Sequence, residues 1–263
     1  MGAVFPLRRA DGMPVTEPRS FWTELDGLRV HGFRAGAPGG VPIVLVHGLG
    51  VSSRYFHPLA RVLARDFPVL AVDLPGTGKS DPPREALDIP SAGRLLARWL
   101  RAQGHDRACF VANSLGGEVV VDLAWRDPGI VTELVLLGPT LEPSRRSIAK
   151  QVPRWLLEST REPLRLLPIL VADYARMGPV RFLKTGRHAL RYAIEKILPE
   201  VAAPTLVIRG ENDGFVSHAW ARRMATLLPR GSFAEVKNAA HAVHFAQPEH
   251  VGALVRDFLR HRA

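Results

Sequence analysis

The sequence predicts an α/β fold: a mostly parallel eight-stranded sheet with helices on both faces and an inserted helical cap. Three observations carry this expectation. Short runs rich in Val, Ile and Leu alternate with longer helical patterns along most of the 263 residues, as in a sheet covered on both faces. That strand signal disappears between Thr140 and Glu200. A composition of 46% hydrophobic and 23% charged residues suits one globular domain with a substantial core.

Taken in order, residues 22–25 and 28–34 read as a hairpin joined by Asp26 and Gly27. Residues 43–47 and 69–73 are short apolar runs of the buried-strand type, with a helical pattern at 55–64 between them. A helix at 91–101, a strand at 108–113, a helix at 115–125 and a strand at 134–138 follow. Strands at 205–209 and 233–236 alternate with helices at 219–227 and 248–259. Residues 1–140 and 201–263 are therefore assigned to the core and 141–200 to the cap. Within the cap, Trp155, Leu156, Leu157, Leu164, Leu166, Leu167 and Ile169 recur at helical spacing, interrupted by Pro153, Pro163 and Pro168.

Lys and Arg number 35 against 25 Asp and Glu, a net charge of +10, which attracts polyanions without specifying one. The cap carries 12 of the basic and 6 of the acidic residues and reads as a solvated basic face over a packed interior. Scattered arginines without a basic tail, aromatic platform or zinc-finger spacing argue against a specific nucleic-acid partner. The single cysteine, Cys109, cannot form an internal disulfide and suits a reducing compartment. The N-terminal stretch lacks the apolar core of an export signal, and no run is long enough for a membrane span. A cytoplasmic protein acting on a small molecule is expected; its oligomeric state is left open.

The chemistry centres on Ala112-Asn113-Ser114-Leu115-Gly116-Gly117, where a strand ends and an amphipathic helix begins. A sharp strand-to-helix turn lifts the Ser114 hydroxyl above the sheet and requires small neighbours, which Gly116 and Gly117 supply. A serine nucleophile needs a base and an orienting acid. Asp213 stands just beyond the 205–209 strand and His241 beyond the 233–236 strand, giving the chain order Ser, Asp, His.

These motifs together resemble the alpha/beta-hydrolase superfamily from about Leu28 to the C-terminus. His47-Gly48-Leu49-Gly50 resembles its oxyanion turn, and Asp73-Leu74-Pro75-Gly76-Thr77-Gly78-Lys79-Ser80 its DxPGxGxS loop. Ala240-His241 with Gln247-Pro248-Glu249 resembles its histidine loop. The chain departs from the pattern at Ala112 and Ala240, where glycine is usual, and at Ala246, where glutamate is frequent. The resemblance implies a triad of Ser114, Asp213 and His241, with oxyanion donors at the backbone N–H groups of Leu49 and Leu115. His47, Gly48, Asn113 and Gly116 would support it.

His244 competes with His241 for the role of base, and Glu142 and Glu211 compete with Asp213 for that of acid. His47 and Asp73 read as structural loop residues. Gly78-Lys79-Ser80 lacks the rest of a phosphate loop, since Asp73 stands where glycine is needed and Asp81-Pro82-Pro83 blocks the following helix. No cluster has metal-ligand spacing, so neither metal nor cofactor is implied.

A serine at the elbow points to acyl transfer to water, with an ester, thioester or lactone bearing an apolar group as substrate. Asn113 beside Ser114 leaves carbon–carbon bond hydrolysis of ring-fission products open, with Arg145, Arg146, Arg154 or Arg187 as candidate anion binders. A non-catalytic receptor on the same fold is the third reading.

Overall fold

The computed structural model describes residues 17–139, 142–147, 153–154, 158 and 160–261. Strands β1 (Arg19–Leu25) and β2 (Leu28–Ala35) pair antiparallel. Asp26 and Gly27 join them with φ of 51° and 75°, the left-handed conformation that a two-residue hairpin turn requires. Six further strands follow: β3 (Ile43–Val46), β4 (Val69–Val72), β5 (Ala108–Asn113), β6 (Val131–Leu137), β7 (Thr205–Gly210) and β8 (Gly231–Val236). They make one eight-stranded sheet in the order β1-β2-β4-β3-β5-β6-β7-β8. Strands β3 to β8 run parallel, and β2 is antiparallel to β4.

Side-chain alternation along each central strand feeds two cores. In β5, Ala108, Phe110 and Ala112 face one side, while Cys109 and Val111 face the other. The first side is covered by α2 (Ile89–Ala102), α3 (Leu115–Arg126) and α6 (His218–Leu227), which bury Trp99, Val120 and Met224. The second is covered by α1 (His57–Leu63) and α8 (Pro248–Arg260) through Leu59, Leu63, Val251 and Val255. Two helix starts are capped by side chains, Asp88 accepting from Ser91 N–H at 2.8 Å and Ser217 from Trp220 N–H at 3.2 Å.

Between β6 and β7 the described residues form helices and turns, chiefly α4 (Leu167–Met177) and α5 (Pro179–Arg191). Gly178, at φ 74°, separates the two, and Pro179 opens α5 at a position that tolerates a missing N–H. Trp155, Leu156 and Leu157 lie outside the described residues.

Element ends differ from the sequence expectation in several places. β1 starts at Arg19 and β6 at Val131. Ladder pairing recruits polar residues that hid these ends, Arg19 and Ser20 in β1 and Glu133 in β6. His47, Asp73 and Gly138 fall just past the strands they were assigned to. The helix expected at 55–64 divides into a 3-10 turn, Ser53–Phe56, and α1, with Pro58 in its first turn. The four-residue helix α7 (Val243–Ala246) was too short to leave a period. Because β3, β5, β7 and β8 are parallel, the segments that follow them, carrying Gly48, Ser114, Asp213 and His241, meet at one carboxyl edge.

Candidate active site

Ser114 sits between β5 and α3 with φ 54° and ψ −123°, a strained backbone conformation for a side-chain-bearing residue. Its N–H donates to the Leu137 carbonyl at 3.1 Å, and its own carbonyl accepts from Gly117 N–H at 2.8 Å. Space dictates the neighbours. A methyl on Gly116 would stand 2.5 Å from the Val46 carbonyl oxygen and 2.6 Å from that of His47. Ala112, the departure from the usual glycine, is accommodated fully buried in β5.

The turn after β7 delivers Asp213, which is buried. Its Oδ1 accepts from the N–H groups of Phe215 at 2.8 Å and Val216 at 3.0 Å. This leaves Oδ2 to accept from His241 Nδ1 at 2.9 Å. Gly138, at φ 50°, borders this pair: a methyl there would lie 2.7 Å from Asp213 Oδ2 and 2.9 Å from His241 Nδ1. Burial depresses the His241 pKa, but the charge and hydrogen bond of Asp213, with Glu158 and Glu162, outweigh it and raise it to about 9. Ser114 and His241 line the same cavity; no hydrogen bond joins their side chains.

The rival residues are engaged elsewhere. His244 is fully buried, stacked on Phe56 with ring centroids 4.2 Å apart, and burial drives its pKa well below the ordinary value. Glu211 accepts from Asn238 N–H at 2.9 Å, and Glu142 faces Ser217 at 3.4 Å.

The turn after β3 is fixed to the serine turn by a relay. Gly48 N–H donates to the Tyr55 hydroxyl, which donates to Asn113 Oδ1, each at 2.8 Å. Asn113 Nδ2 in turn donates to the carbonyls of Leu137 at 2.8 Å and His241 at 3.3 Å. His47 Nε2 accepts from Leu74 N–H at 2.9 Å, so its Nδ1 carries the proton donated to the Gly48 carbonyl at 2.8 Å. Burial keeps its pKa low. Asp73 gathers His31 Nδ1 and the N–H groups of Ser53 and Lys79 within 2.9 Å. The N–H groups of Leu49 and Leu115 donate to no described group.

The cavity above Ser114 measures about 440 Å³ and is lined mainly by apolar side chains, including Leu49, Leu166, Leu170, Tyr174 and Phe182. Arg187 also lines it. Arg146 is held by Glu195 at 3.0 Å, and the Arg145 side chain lies outside the described residues.

Two residues escaped sequence reasoning. Glu158 Oε1 accepts from His241 N–H at 2.7 Å and its Oε2 from Gly214 N–H at 2.8 Å. Glu162 Oε1 accepts from Ala242 N–H at 2.6 Å. Burial raises both carboxyl pKa values, that of Glu162 to about 7. Their spacing of four residues, which puts two carboxyls on one helical face, was the available signal.

A sequence profile described as the alpha/beta hydrolase family matches residues 43–253. The chain is a member of that family. As such it is a hydrolase, and its eight-stranded sheet is the family's fold. It is 27% identical over 251 residues to RutD of Yersinia enterocolitica, provisionally named a carbamate hydrolase, covering 85% of this chain and 88% of that one. It is 28% identical over 242 residues to the pimeloyl-[acyl-carrier protein] methyl ester esterase of Neisseria meningitidis, covering 82% and 76%. The enol-lactonase of Burkholderia xenovorans superposes with a TM-score of 0.79 at 22% identity, over 91% of this chain and 99% of that one. Among the described residues, no helix of this hydrolase is long and apolar enough to cross a membrane.

Proposed function

We propose that this hydrolase cleaves carboxylic esters, thioesters or lactones bearing an apolar group, through Ser114, His241 and Asp213. The observation that carries the reading is the 2.9 Å His241–Asp213 bond beside a strained Ser114 in one apolar cavity. Ser114 Oγ attacks the carbonyl carbon while His241 takes its proton, and Asp213 holds the imidazole and offsets its positive charge. The N–H groups of Leu49 and Leu115 hold the developing oxyanion, the second at a helix N-terminus whose dipole favours negative charge. The carbon–oxygen bond to the leaving alcohol or thiol then breaks, and His241 returns its proton to that group. Water repeats the sequence on the acyl-enzyme. The serine–histidine hydrogen bond forms as substrate binds, the stage at which such contacts commonly tighten.

The relatives named for ester and carbamate hydrolysis support acyl transfer, and the apolar lining supports an apolar acyl or alcohol group. The helices of residues 141–200 act as the cap that closes this pocket. Asn113 speaks against carbon–carbon cleavage, because its amide is already committed to Tyr55, Leu137 and His241.

Hydrolysis of short and medium-chain nitrophenyl esters tests the reading. Ser114→Ala should lower kcat by about 10³-fold or more with the fold retained. Binding without serine-dependent turnover across esters, thioesters and lactones would favour a receptor instead.

A further inference from the structure

One short stretch of the insertion grips both loops that carry the acid and the base. Glu158 bridges Gly214 N–H and His241 N–H at 2.8 and 2.7 Å, and Glu162 takes Ala242 N–H at 2.6 Å. Arg161 Nη1 donates to the Asn212 carbonyl at 3.0 Å, and Arg165 Nη2 to the Phe245 carbonyl at 3.1 Å. Glu158 and Arg161 lie on helical backbone, Glu162 follows at its end, and Arg165 stands in the 3-10 turn Leu164–Leu166. Every one of these bonds ends on backbone within three residues of Asp213 or within five of His241. Glu158 alone touches both loops and is buried.

We propose that Glu158 and Glu162 are positioning residues for the His241–Asp213 pair, so that seating the insertion on the core and aligning the base are one event. This deepens the serine-hydrolase reading and rests on it for the kinetic part of its test. A carboxylate that accepts two N–H groups with its two oxygens fixes their separation, and here those groups belong to the residue after Asp213 and to His241 itself. Gln at position 158 could accept only one of them and would press its NH2 against the other. Glu162 adds a second anchor one residue past the histidine.

The arrangement also sets the field at the imidazole. The groups facing His241 are Asp213 from the turn after β7, Glu158 and Glu162 from the insertion, and the neutral, buried His244 from α7. Arg161 and Arg209 reach this region through the carbonyls of Asn212 and Asp213. Three carboxyls against one imidazole favour its charged form. Removing one must make the imidazole lose its proton at lower pH.

The test compares wild type, Glu158→Gln and Glu162→Gln by NMR titration of His241 without substrate and by pH profiles of ester hydrolysis. In the wild type, kcat/KM should climb through about pH 9, where His241 becomes neutral. In Glu158→Gln that limb and the NMR midpoint should both move to lower pH, by about one unit. The plateau kcat should fall about tenfold while KM changes far less, as misalignment of a base predicts. Glu162→Gln should move the midpoint the same way to a smaller extent. A folded Glu158→Gln with unchanged midpoint and plateau would overturn the proposal. If that variant fails to fold, an unshifted midpoint in Glu162→Gln overturns it, as does failure of both to fold, since the contacts would then hold the chain together and not the pair. Absence of serine-dependent turnover in the wild type would remove the serine-hydrolase reading while the NMR midpoints still judge the positioning role.

Discussion

His241 and His244 stand three residues apart, yet their surroundings make them different chemical groups. His241 keeps one ring nitrogen on a buried carboxylate and borders the cavity. His244 has lost water on all sides, and neither of its ring nitrogens has a partner among the described residues. Two such buried nitrogens cost stability that an apolar ring would not. His244→Phe should therefore keep ester hydrolysis within a few-fold of wild type and leave Tm unchanged or higher, whereas His241→Ala loses turnover; the same ester assay and a thermal melt check both. The Ser, Asp, His order and the HG turn were legible because each motif is local and its residues are chemically distinctive. Glu158 was not, because its partner His241 is 83 residues away and its four-residue spacing from Glu162 is equally common on a solvated helix face.

At the level of elements, the junction between β5 and α3 is governed by closeness. α3 begins against the end of β3 with a carbonyl oxygen 2.5 Å from where a methyl on Gly116 would stand, well inside van der Waals contact. Gly116→Ala should cost about 2 to 3 kcal/mol through displacement of the helix. It should also push the Leu115 N–H from its proposed oxyanion-binding position, so that the denaturant midpoint and kcat decline together. Strand and helix existence followed from apolar period, which is why all eight strands were foreseen. Their ends were less legible: at β6 a register shift opposite Ala108 and Cys109 and the pairing of polar residues extend the strand beyond its apolar run. Between β6 and β7, cations read from sequence as a solvated face also contact the loop after β4, from side chains that stay exposed or half-buried. Arg176 and Arg181 reach the carbonyls of Gly78 and Pro83, and Lys184 meets Glu85 at 3.0 Å.

On the scale of the whole molecule, those contacts tie the segment between β6 and β7 to the loop after β4, and the Glu158 to Arg165 group ties it to the loops after β7 and β8. A further tie, to the segment after β3, is Asp173, which is buried and accepts from Ser52 Oγ at 2.6 Å and Arg54 Nη2 at 3.0 Å. Asp173→Asn keeps the shape but removes the charge, and should cost roughly 1 to 3 kcal/mol. A lowered Tm, with a larger loss of kcat/KM for medium-chain than for acetyl esters, would mark a pocket roof that has loosened over its outer part. The strand order supplies a last consequence. β6 lies between β5, which ends at the serine, and β7, which ends before the acid, so Gly138 stands at the meeting point of the proposed machinery. Hydrogen in place of a methyl at that one α-carbon leaves room for Asp213 Oδ2 and His241 Nδ1 to meet at 2.9 Å. On the proposed mechanism, turnover could be lost at this one position by a change that leaves both cores as they are.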